Sequence, residues 1–335
     1  MAKPRKLLIS AFLLVVFASV AVVLWVRSSQ SPTAARLLPE GEVILYANLK
    51  PAHLWDLSKS SPVQLEGDYR DFVAQTGIQF ERDLDEVAMS RRDTPDGKDT
   101  ESSEVFAGQF DQQRLRNYLE KISAERVTYH DHIIYSIPHE GHIVRVSILD
   151  PRRVAVTNMA STEPIHGMID AWYKSPAGPS LLREYYRRVP VTALGWMIAH
   201  TPAGARAPQL PNGWSFDFLE NTVTVASVRY QGDVQLQADV IAASDADAAR
   251  IVDQANSFLL ISRSAAQSLR ASGPDPDVKA AFDSIQARQN KNVAVFTATV
   301  SQRMLKKLVS AARPESTAPV PSPSPSAAQR KRHRR

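Results

Sequence analysis

The sequence predicts an α+β protein with antiparallel sheets, helices packed on one face and a single transmembrane helix at its N-terminus. Three observations lead to this fold class: a long uncharged segment near the start, paired segments of alternating apolar and polar residues, and amphipathic segments that begin at capping residues. The chain has 335 residues, of which 44% are hydrophobic and 22% charged. This composition suits one or two globular domains with buried cores.

Residues 7–26 carry no charged side chain, and a helix of this length spans roughly 30 Å, the hydrocarbon thickness of a bilayer. Three basic residues lie within residues 1–6, whereas only Arg27 follows the segment closely. This charge bias predicts that the N-terminal stub is cytoplasmic and that the body lies outside the cytoplasm, on the periplasmic side. The lipid bilayer is therefore the first predicted partner, bound through residues 7–26.

A cleaved signal peptide is the alternative interpretation of the same segment. Ser19 and Ala21 are small residues at acceptable positions before a cleavage site. Cleavage after Ala21 would leave an apolar new N-terminus, whereas Trp25, just before Arg27, suits an anchor at the membrane interface. The uncleaved anchor is the preferred interpretation. The chain has no cysteine, which excludes both a lipoprotein modification and a disulfide framework.

The basic residues are concentrated at the two ends of the chain. The formal net charge is +5 and the sequence pI is about 9.4, which by itself would suggest a nucleic-acid partner. However, residues 1–6 supply three positive charges and residues 330–335 supply five, so subtracting these eight from +5 leaves −3 for the rest of the chain. The body is not basic, and no nucleic-acid partner is expected.

Residues 39–190 form the first predicted α+β half, after a linker at residues 27–38. Alternating apolar residues bounded by turns predict strands, and capped or amphipathic segments between them predict helices. The strands are predicted at residues 43–49, 105–110, 133–137, 144–148 and 154–157, and the helices after Pro51, after the N-cap Asp111, and at residues 163–173 and 180–189. The three later strands predict an antiparallel meander.

Residues 191–312 form the second predicted half. A hairpin turn is predicted at residues 231–233, and Ser244 with Asp247 resembles a capping box before a long amphipathic helix. The strands are predicted at residues 191–198, 223–225, 234–240 and 293–300, and a further helix at residues 277–289.

An internal pseudo-repeat links the two halves. Residues 105–119 align without a gap on residues 295–309, each as a strand, an N-cap (Asp111 or Ser301) and a helix. Strand followed by capped helix is a common unit, so chance similarity stands beside true duplication as an explanation.

Four short motifs carry a resemblance to a protein family: Leu38-Pro39-Glu40-Gly41 before the first strand, Phe110-Asp111 between a strand and a helix, the hairpin from Tyr129 to Tyr135, and the Asp- and Ala-rich helix start at residues 245–249. On these motifs the chain resembles uncharacterised bacterial membrane-anchored proteins of a domain-of-unknown-function family. The resemblance covers roughly residues 38–312. It implies an extracytoplasmic α+β body and brings no activity or site residue with it.

Four histidines within thirteen residues form the candidate metal site. His130 and His132 share one strand face, and His139 and His142 flank the next turn. Imidazole is a ligand for zinc, copper and nickel, so these four residues would support an anchored metal-dependent hydrolase. Solvated hairpin histidines are the alternative, because the HEGH sequence lacks the one-turn helical spacing of zinc proteases.

No catalytic residue and no cofactor are predicted. The G-x-S-x-G motif and cysteine are both absent, which removes the common activated nucleophiles. No glycine-rich phosphate loop is present either. An enzyme is therefore the less favoured class.

Aromatic and basic residues between positions 172 and 218 form the candidate partner-binding surface. These side chains are suited to line a groove for a glycan or peptide, although aromatic residues at helical spacing are more often core. The candidate residues are Trp172, Arg183, Arg187, Trp214 and Phe216.

Residues 313–335 are rich in proline and serine and predict a disordered spacer with a basic tip. The tip residues are expected to bind an anionic surface such as acidic lipid headgroups. The alternative is a solvated end that binds nothing. The tip residues are Arg330, Lys331, Arg332, Arg334 and Arg335.

The sequence thus favours a membrane-tethered, non-enzymatic binding or structural protein of the bacterial envelope, whose partner is an envelope protein or polymer.

Overall fold

The structure, a computed structural model, describes residues 30–51, 67–94, 99–203, 220–268 and 275–311. The predicted transmembrane segment, the spacer with its basic tip, and the candidate residues Trp214 and Phe216 lie outside these ranges. Among the helices in the described ranges, none has the length and apolar character needed to cross a bilayer.

The described residues form one antiparallel sheet of twelve strands. In spatial order the strands run β11-β12-β10-β9-β8-β1-β2-β3-β7-β6-β5-β4. Their bounds are β1 Val43–Asn48, β2 Leu84–Asp93, β3 Thr100–Gly108, β4 Glu125–Tyr129, β5 His132–His139, β6 His142–Asp150, β7 Arg153–Thr157, β8 Gly195–Thr201, β9 Thr222–Gln231, β10 Asp233–Ile241, β11 Gln286–Asn290 and β12 Val293–Val300.

Strands β1 and β8 join the two predicted halves into this single sheet. They pair antiparallel with Tyr46 opposite Trp196, and the two rings stack with their centroids 5.4 Å apart. The halves therefore share one continuous set of backbone hydrogen bonds.

Nine helices lie within the described ranges, with a short 3-10 turn after the sixth. Their bounds are α1 Thr33–Arg36, α2 Gly67–Thr76, α3 Phe80–Asp83, α4 Gln112–Ile122, α5 Glu163–Lys174, α6 Ser180–Tyr185 with the 3-10 turn Tyr186–Arg188, α7 Asp245–Ser268, α8 Pro276–Asp283 and α9 Gln302–Ala311.

The caps predicted from the sequence are confirmed. The Asp111 carboxylate accepts a hydrogen bond from the backbone N–H of Arg114 at the start of α4, and the Ser244 hydroxyl accepts one from the N–H of Asp247 at 3.1 Å. At the start of α9, the Ser301 hydroxyl likewise accepts a hydrogen bond from the N–H of Met304 at 3.2 Å. The units β3–α4 and β12–α9 therefore share the local geometry that the pseudo-repeat predicts.

The helices lie on both faces of the sheet, so the prediction of a single helical face is wrong. Side chains of successive strand residues point to opposite faces, and Ile134 and Tyr135 on β5 belong to different buried clusters. Val154 and Ala155 on β7 also belong to different buried clusters. These central strands are apolar on both sides, and each side requires its own cover.

Three buried clusters stabilise this arrangement. The first packs α1, α5 and α6 on one face, and it includes Leu37, Ile44, Ile165, Ile169, Leu182 and Ile198. The second packs α4 on the opposite face through Leu115 and Leu119 against Tyr135 and Val146. The third packs α7 against β10 and β12 through Ile251, Val252, Val240 and Ala294.

One predicted helix is partly wrong. The segment predicted as helical over residues 277–289 forms α8 only to Asp283, and residues 286–290 form the edge strand β11. An edge strand needs little apolar surface, and β11 is almost entirely polar. Its sequence therefore lacks the alternation that identifies a strand.

Candidate functional site

The candidate site lies where the β4–β5 hairpin meets helix α5, beside the edge of the sheet. We call it the hairpin-tip cluster, and it consists of six side chains: Tyr129, His130, His132, His166, Asp170 and Tyr173.

The hairpin supplies three of these residues. Tyr129 and His132 pair across the two strands, so His130 falls in the tight turn between them, and the prediction that His130 shares a strand face with His132 is wrong. The backbone of His130 adopts a left-handed conformation with φ of 50°, which non-glycine residues adopt uncommonly. This turn directs the three side chains toward α5.

Helix α5 supplies the other three residues through its periodicity. Ile165, Met168 and Ile169 are fully buried in the first cluster and fix the orientation of the helix. His166, Asp170 and Tyr173 follow at spacings of four and three, which places them along one neighbouring stripe. The same packing that buries α5 therefore presents this stripe to the hairpin.

Asp170 is the polar centre of the cluster. Its Oδ1 atom accepts a hydrogen bond from the Tyr129 hydroxyl at 3.2 Å and lies 3.2 Å from His130 Nε2. Its Oδ2 atom lies 3.5 Å from the Lys174 ammonium. Hairpin and helix are thus connected through one carboxylate.

The rings of the cluster contact one another closely. Tyr129 and His166 stack with centroids 4.0 Å apart and an interplanar angle of 11°. Tyr173 lies 5.6 Å from each of the rings of His130 and His132. Ring contacts of this kind stabilise beyond the area they bury.

His132 holds Tyr173 in a defined orientation. Its Nε2 atom is 3.1 Å from the backbone carbonyl of Leu149, and since a carbonyl only accepts, Nε2 carries the proton. In the neutral form of the ring, Nδ1 is then the acceptor, and the Tyr173 hydroxyl donates to it across 3.4 Å. Despite this contact, Tyr173 is 51% exposed.

The environment of Asp170 shifts its titration. Desolvation alone would raise the pKa of this carboxyl, but the hydrogen bond from Tyr129, the charge of Lys174 and the hydrogen bond from His130 outweigh it and hold the pKa below its ordinary value. A lowered pKa in the folded state means that folding favours the ionised carboxylate.

We therefore expect acid to weaken the cluster. The contribution of Asp170 to stability is complete above the ordinary range of a carboxyl group and is lost as the pH falls through the lowered pKa. The difference in free energy of unfolding between wild type and Asp170→Asn should shrink as the pH falls from the ordinary range of an aspartate carboxyl, about 4, through the lowered pKa. Chemical denaturation at several pH values measures it, and parallel curves for the two proteins would contradict the assignment.

The structure does not bring the four candidate metal-binding histidines together. His139 and His142 pair with each other at the far end of β5, and at about 3.4 Å per residue this strand places them roughly 24 Å from His132. Over the described part of the chain, no three histidine, aspartate or glutamate side chains are arranged to hold a metal ion. The histidines fall into two separate hairpin tips.

The candidate partner-binding residues are divided as well. Trp172 is partly buried against the first cluster, and the Arg153 guanidinium lies 5.3 Å from the centre of its ring. Its neighbour Tyr173 belongs to the hairpin-tip cluster. Arg183 on α6 and Arg187 on the 3-10 turn have exposed side chains.

Sequence reasoning missed Tyr129, His166, Asp170 and Tyr173 as site residues. The spacing of His166, Asp170 and Tyr173 along a correctly predicted helix was an available signal for a shared stripe. Long-range packing places this stripe against the β4–β5 hairpin, and the spacing of residues along the helix does not reveal that contact.

The larger cavities recorded among the described residues lie elsewhere. A polar cavity of about 750 Å³ between α3, α4 and the β6–β7 turn is lined by Arg82, Arg114 and Arg152 together with Asp83 and Asp111. An open apolar groove of about 510 Å³ crosses the sheet, and its lining includes Leu45, Met197, Val228, Leu236 and Phe296.

The sequence matches no protein-family model, and no curated protein is significantly similar to it. Among solved structures, the chain is similar to three crystal forms of the Treponema protein TP0453. For forms IV, III and I the identities are 13%, 11% and 11%, and the TM-scores are 0.44, 0.44 and 0.45. Each match covers 84% of this chain and 96%, 99% and 98% of the respective TP0453 chain. This likeness is too distant to indicate a function.

Proposed function

We propose that this chain is a non-enzymatic binding protein of the bacterial envelope, tethered to the membrane through residues 7–26 with its body on the periplasmic side. Its binding site is the hairpin-tip cluster, and its partner is an envelope protein or polymer. The observation that carries the proposal is the exposed ring of Tyr173, which is held in place by His132 and lies beside the carboxylate of Asp170.

A fixed aromatic ring at the surface favours recognition of a partner. Aromatic side chains are enriched where proteins bind, because they supply a large contact area at a small cost in conformational entropy. Tyr173 has already lost part of its freedom through its contacts with His130 and His132. A partner that covers the ring therefore pays less to order it.

The arrangement gives less support to the hydrolase alternative. That hypothesis needs His130, His132, His139 and His142 around one metal ion, and β5 separates them into two pairs. Asp170 is already engaged by Tyr129, His130 and Lys174. Its contacts suit a structural and binding role.

The termini extend the proposal to the membrane. The uncharged segment 7–26 supplies the tether, and the basic tip at residues 330–335 supplies a contact for anionic lipid headgroups at roughly 1 kcal/mol per basic residue near a charged surface. The body itself carries a net charge of −3, so the tip is the part of the exported chain that favours such a surface.

Topology is tested with two reporters fused after Arg335 in separate strains, one active only in the cytoplasm and one active only outside it. We expect activity only from the second reporter, and membrane fractions that retain the full-length chain. Activity of the cytoplasmic reporter, or a mature chain free of membranes, would contradict the tethered orientation.

The site is tested by photo-crosslinking in intact cells. A photoreactive amino acid at position 173 should give a discrete adduct with an envelope component, whereas the same group at position 143 should not. Ile143 is a matched control because it is 48% exposed, close to the 51% of Tyr173, yet lies on β6 next to the opposite end of β5. Equal labelling from both positions would contradict the assignment of the site.

A further inference from the structure

We infer that the hairpin-tip cluster binds a saccharide, specifically a glycan chain that stacks on Tyr173 and bonds to Asp170, Lys174 and His130. This inference rests on the proposed function, because it names the chemical class of the partner at that same site.

The first requirement for a saccharide is an aromatic ring with an accessible face. Sugar rings present apolar C–H groups on one face and hydroxyl groups at the rim, so a stacked aromatic ring covers the apolar part while leaving the rim free to bond. Tyr173 is 51% exposed. Its hydroxyl is occupied by His132, so the ring itself is the part that it offers to a partner.

The second requirement is a set of donors and acceptors around that ring. Asp170 precedes Tyr173 by less than one helical turn and provides a carboxylate acceptor, and Lys174 directly follows it with an ammonium donor that is 74% exposed. His130 adds an imidazole that is 54% exposed. Hydroxyl groups both donate and accept, so this mixed set suits a neutral polyol better than a ligand of one charge.

The third consideration is the shape of the site. The cluster forms a surface of packed rings and does not coincide with either of the two cavities described above. A single small molecule would bury little of its area there, whereas typical small-molecule sites enclose most of the ligand. A chain of repeating units gains from several weak contacts along its length, because each bound unit raises the effective concentration of the next.

The charge of the chain also favours a neutral glycan over a charged polymer as the partner. The chain between the basic ends carries a net charge of −3, which disfavours a polyanion such as nucleic acid. Around the ring, the charges of Asp170 and Lys174 offset each other. A neutral polymer therefore meets no electrostatic penalty.

The inference is tested with purified full-length protein in detergent micelles. The probes are six-unit oligosaccharides of N-acetylglucosamine, of β-linked glucose and of α-linked glucose, and titration by microscale thermophoresis gives the dissociation constants. At least one probe should bind, and Tyr173→Ala should weaken that binding by about tenfold, as expected for loss of an aromatic anchor.

Two further variants separate ring stacking from other effects. Tyr173→Phe keeps the ring and should retain most of the affinity, and Ile143→Ala removes a similarly exposed apolar side chain and should leave the affinity unchanged. The melting temperature of each variant verifies its fold. Failure of all three probes to bind, or equal affinity of wild type and Tyr173→Ala, would overturn the inference.

The crosslinking experiment distinguishes this failure from that of the proposed function. An adduct at position 173 that keeps its mass after treatment with glycan-degrading enzymes, and in which mass spectrometry finds peptides of a second protein, would support the proposed binding function with a protein partner and refute the saccharide. An absent adduct, together with no affinity for any probe, would refute both.

Discussion

Replacing Ile198 with alanine is expected to lower the free energy of unfolding by about 2 to 5 kcal/mol. The side chain of Ile198 is fully buried on β8. It lies opposite Ile44 on β1 and Val225 on β9, so it is at the junction of the two halves. Alanine would remove three carbon atoms from a packed core, and surrounding strands relax only partly into such a cavity.

Chemical denaturation of the full-length protein in detergent micelles measures this change. A matched control is Val228→Ala, because Val228 lies on the neighbouring strand β9 but is 37% exposed, and its truncation should cost less than about 1 kcal/mol. Equal losses for the two variants would show that the junction is not a packed core.

The same measurement tests whether the sheet behaves as one unit. Strands β1 and β8 pair along five residue positions, so we expect the Ile198→Ala variant to unfold in one transition. Two transitions, of which only one shifts, would indicate that the halves unfold independently despite their shared sheet. That outcome would restrict the effect of Ile198 to the second half.

Local signals predicted much of this fold. The N-caps Asp111 and Ser244 mark real helix starts because capping is decided within a few residues. The turn at residues 231–233 was found for the same reason, and it joins β9 to β10. Interactions that close over short sequence separations leave a pattern in the sequence itself.

Long-range pairing left no such pattern. Nothing local in β1 indicates that its partner is β8, since pairing is decided by the packing of Tyr46 and Ile44 against residues far along the chain. The apolar residues Ile134 and Tyr135 show that β5 is buried, yet not that helices cover both faces.

The candidate site shows the same limit. His130 and His132 stand out because four histidines cluster within thirteen residues, but their true neighbours, Asp170 and Tyr173, come from a helix some forty residues later. Sequence proximity suggested His139 and His142 as fellow ligands instead. An extended strand carries neighbours in sequence far apart in space, which is why the hypothesis grouped residues that β5 separates.

Gly108→Ala is expected to destabilise the protein by about 3 kcal/mol, near the upper end for overpacking. A Cβ atom at this position would lie 2.1 Å from the backbone oxygen of Asp83, 3.0 Å from its carbonyl carbon and 3.1 Å from the Cα atom of Leu84. All three contacts are backbone atoms, so no side chain can move aside. The strand ends of β2 and β3 would have to separate.

Gly167→Ala is the matched control, and its expected effect has the opposite sign. Gly167 lies within α5, where an added Cβ atom meets nothing within 4 Å, and alanine is the better helix former by up to about 1 kcal/mol. The same substitution should therefore stabilise the protein at position 167 and destabilise it at position 108.

The contrast between these two glycines tests the close approach that holds the start of β2 against the end of β3. Gly108 donates its N–H to the Arg152 carbonyl at 2.9 Å, and Gln109 donates to the Asp83 carbonyl at 2.8 Å. Separation of the backbones would weaken both hydrogen bonds as well as the packing. Thermal and chemical denaturation should therefore give a free energy of unfolding below the wild-type value for Gly108→Ala and above it for Gly167→Ala. Equal stability of the two variants would show that the two strand ends do not approach this closely.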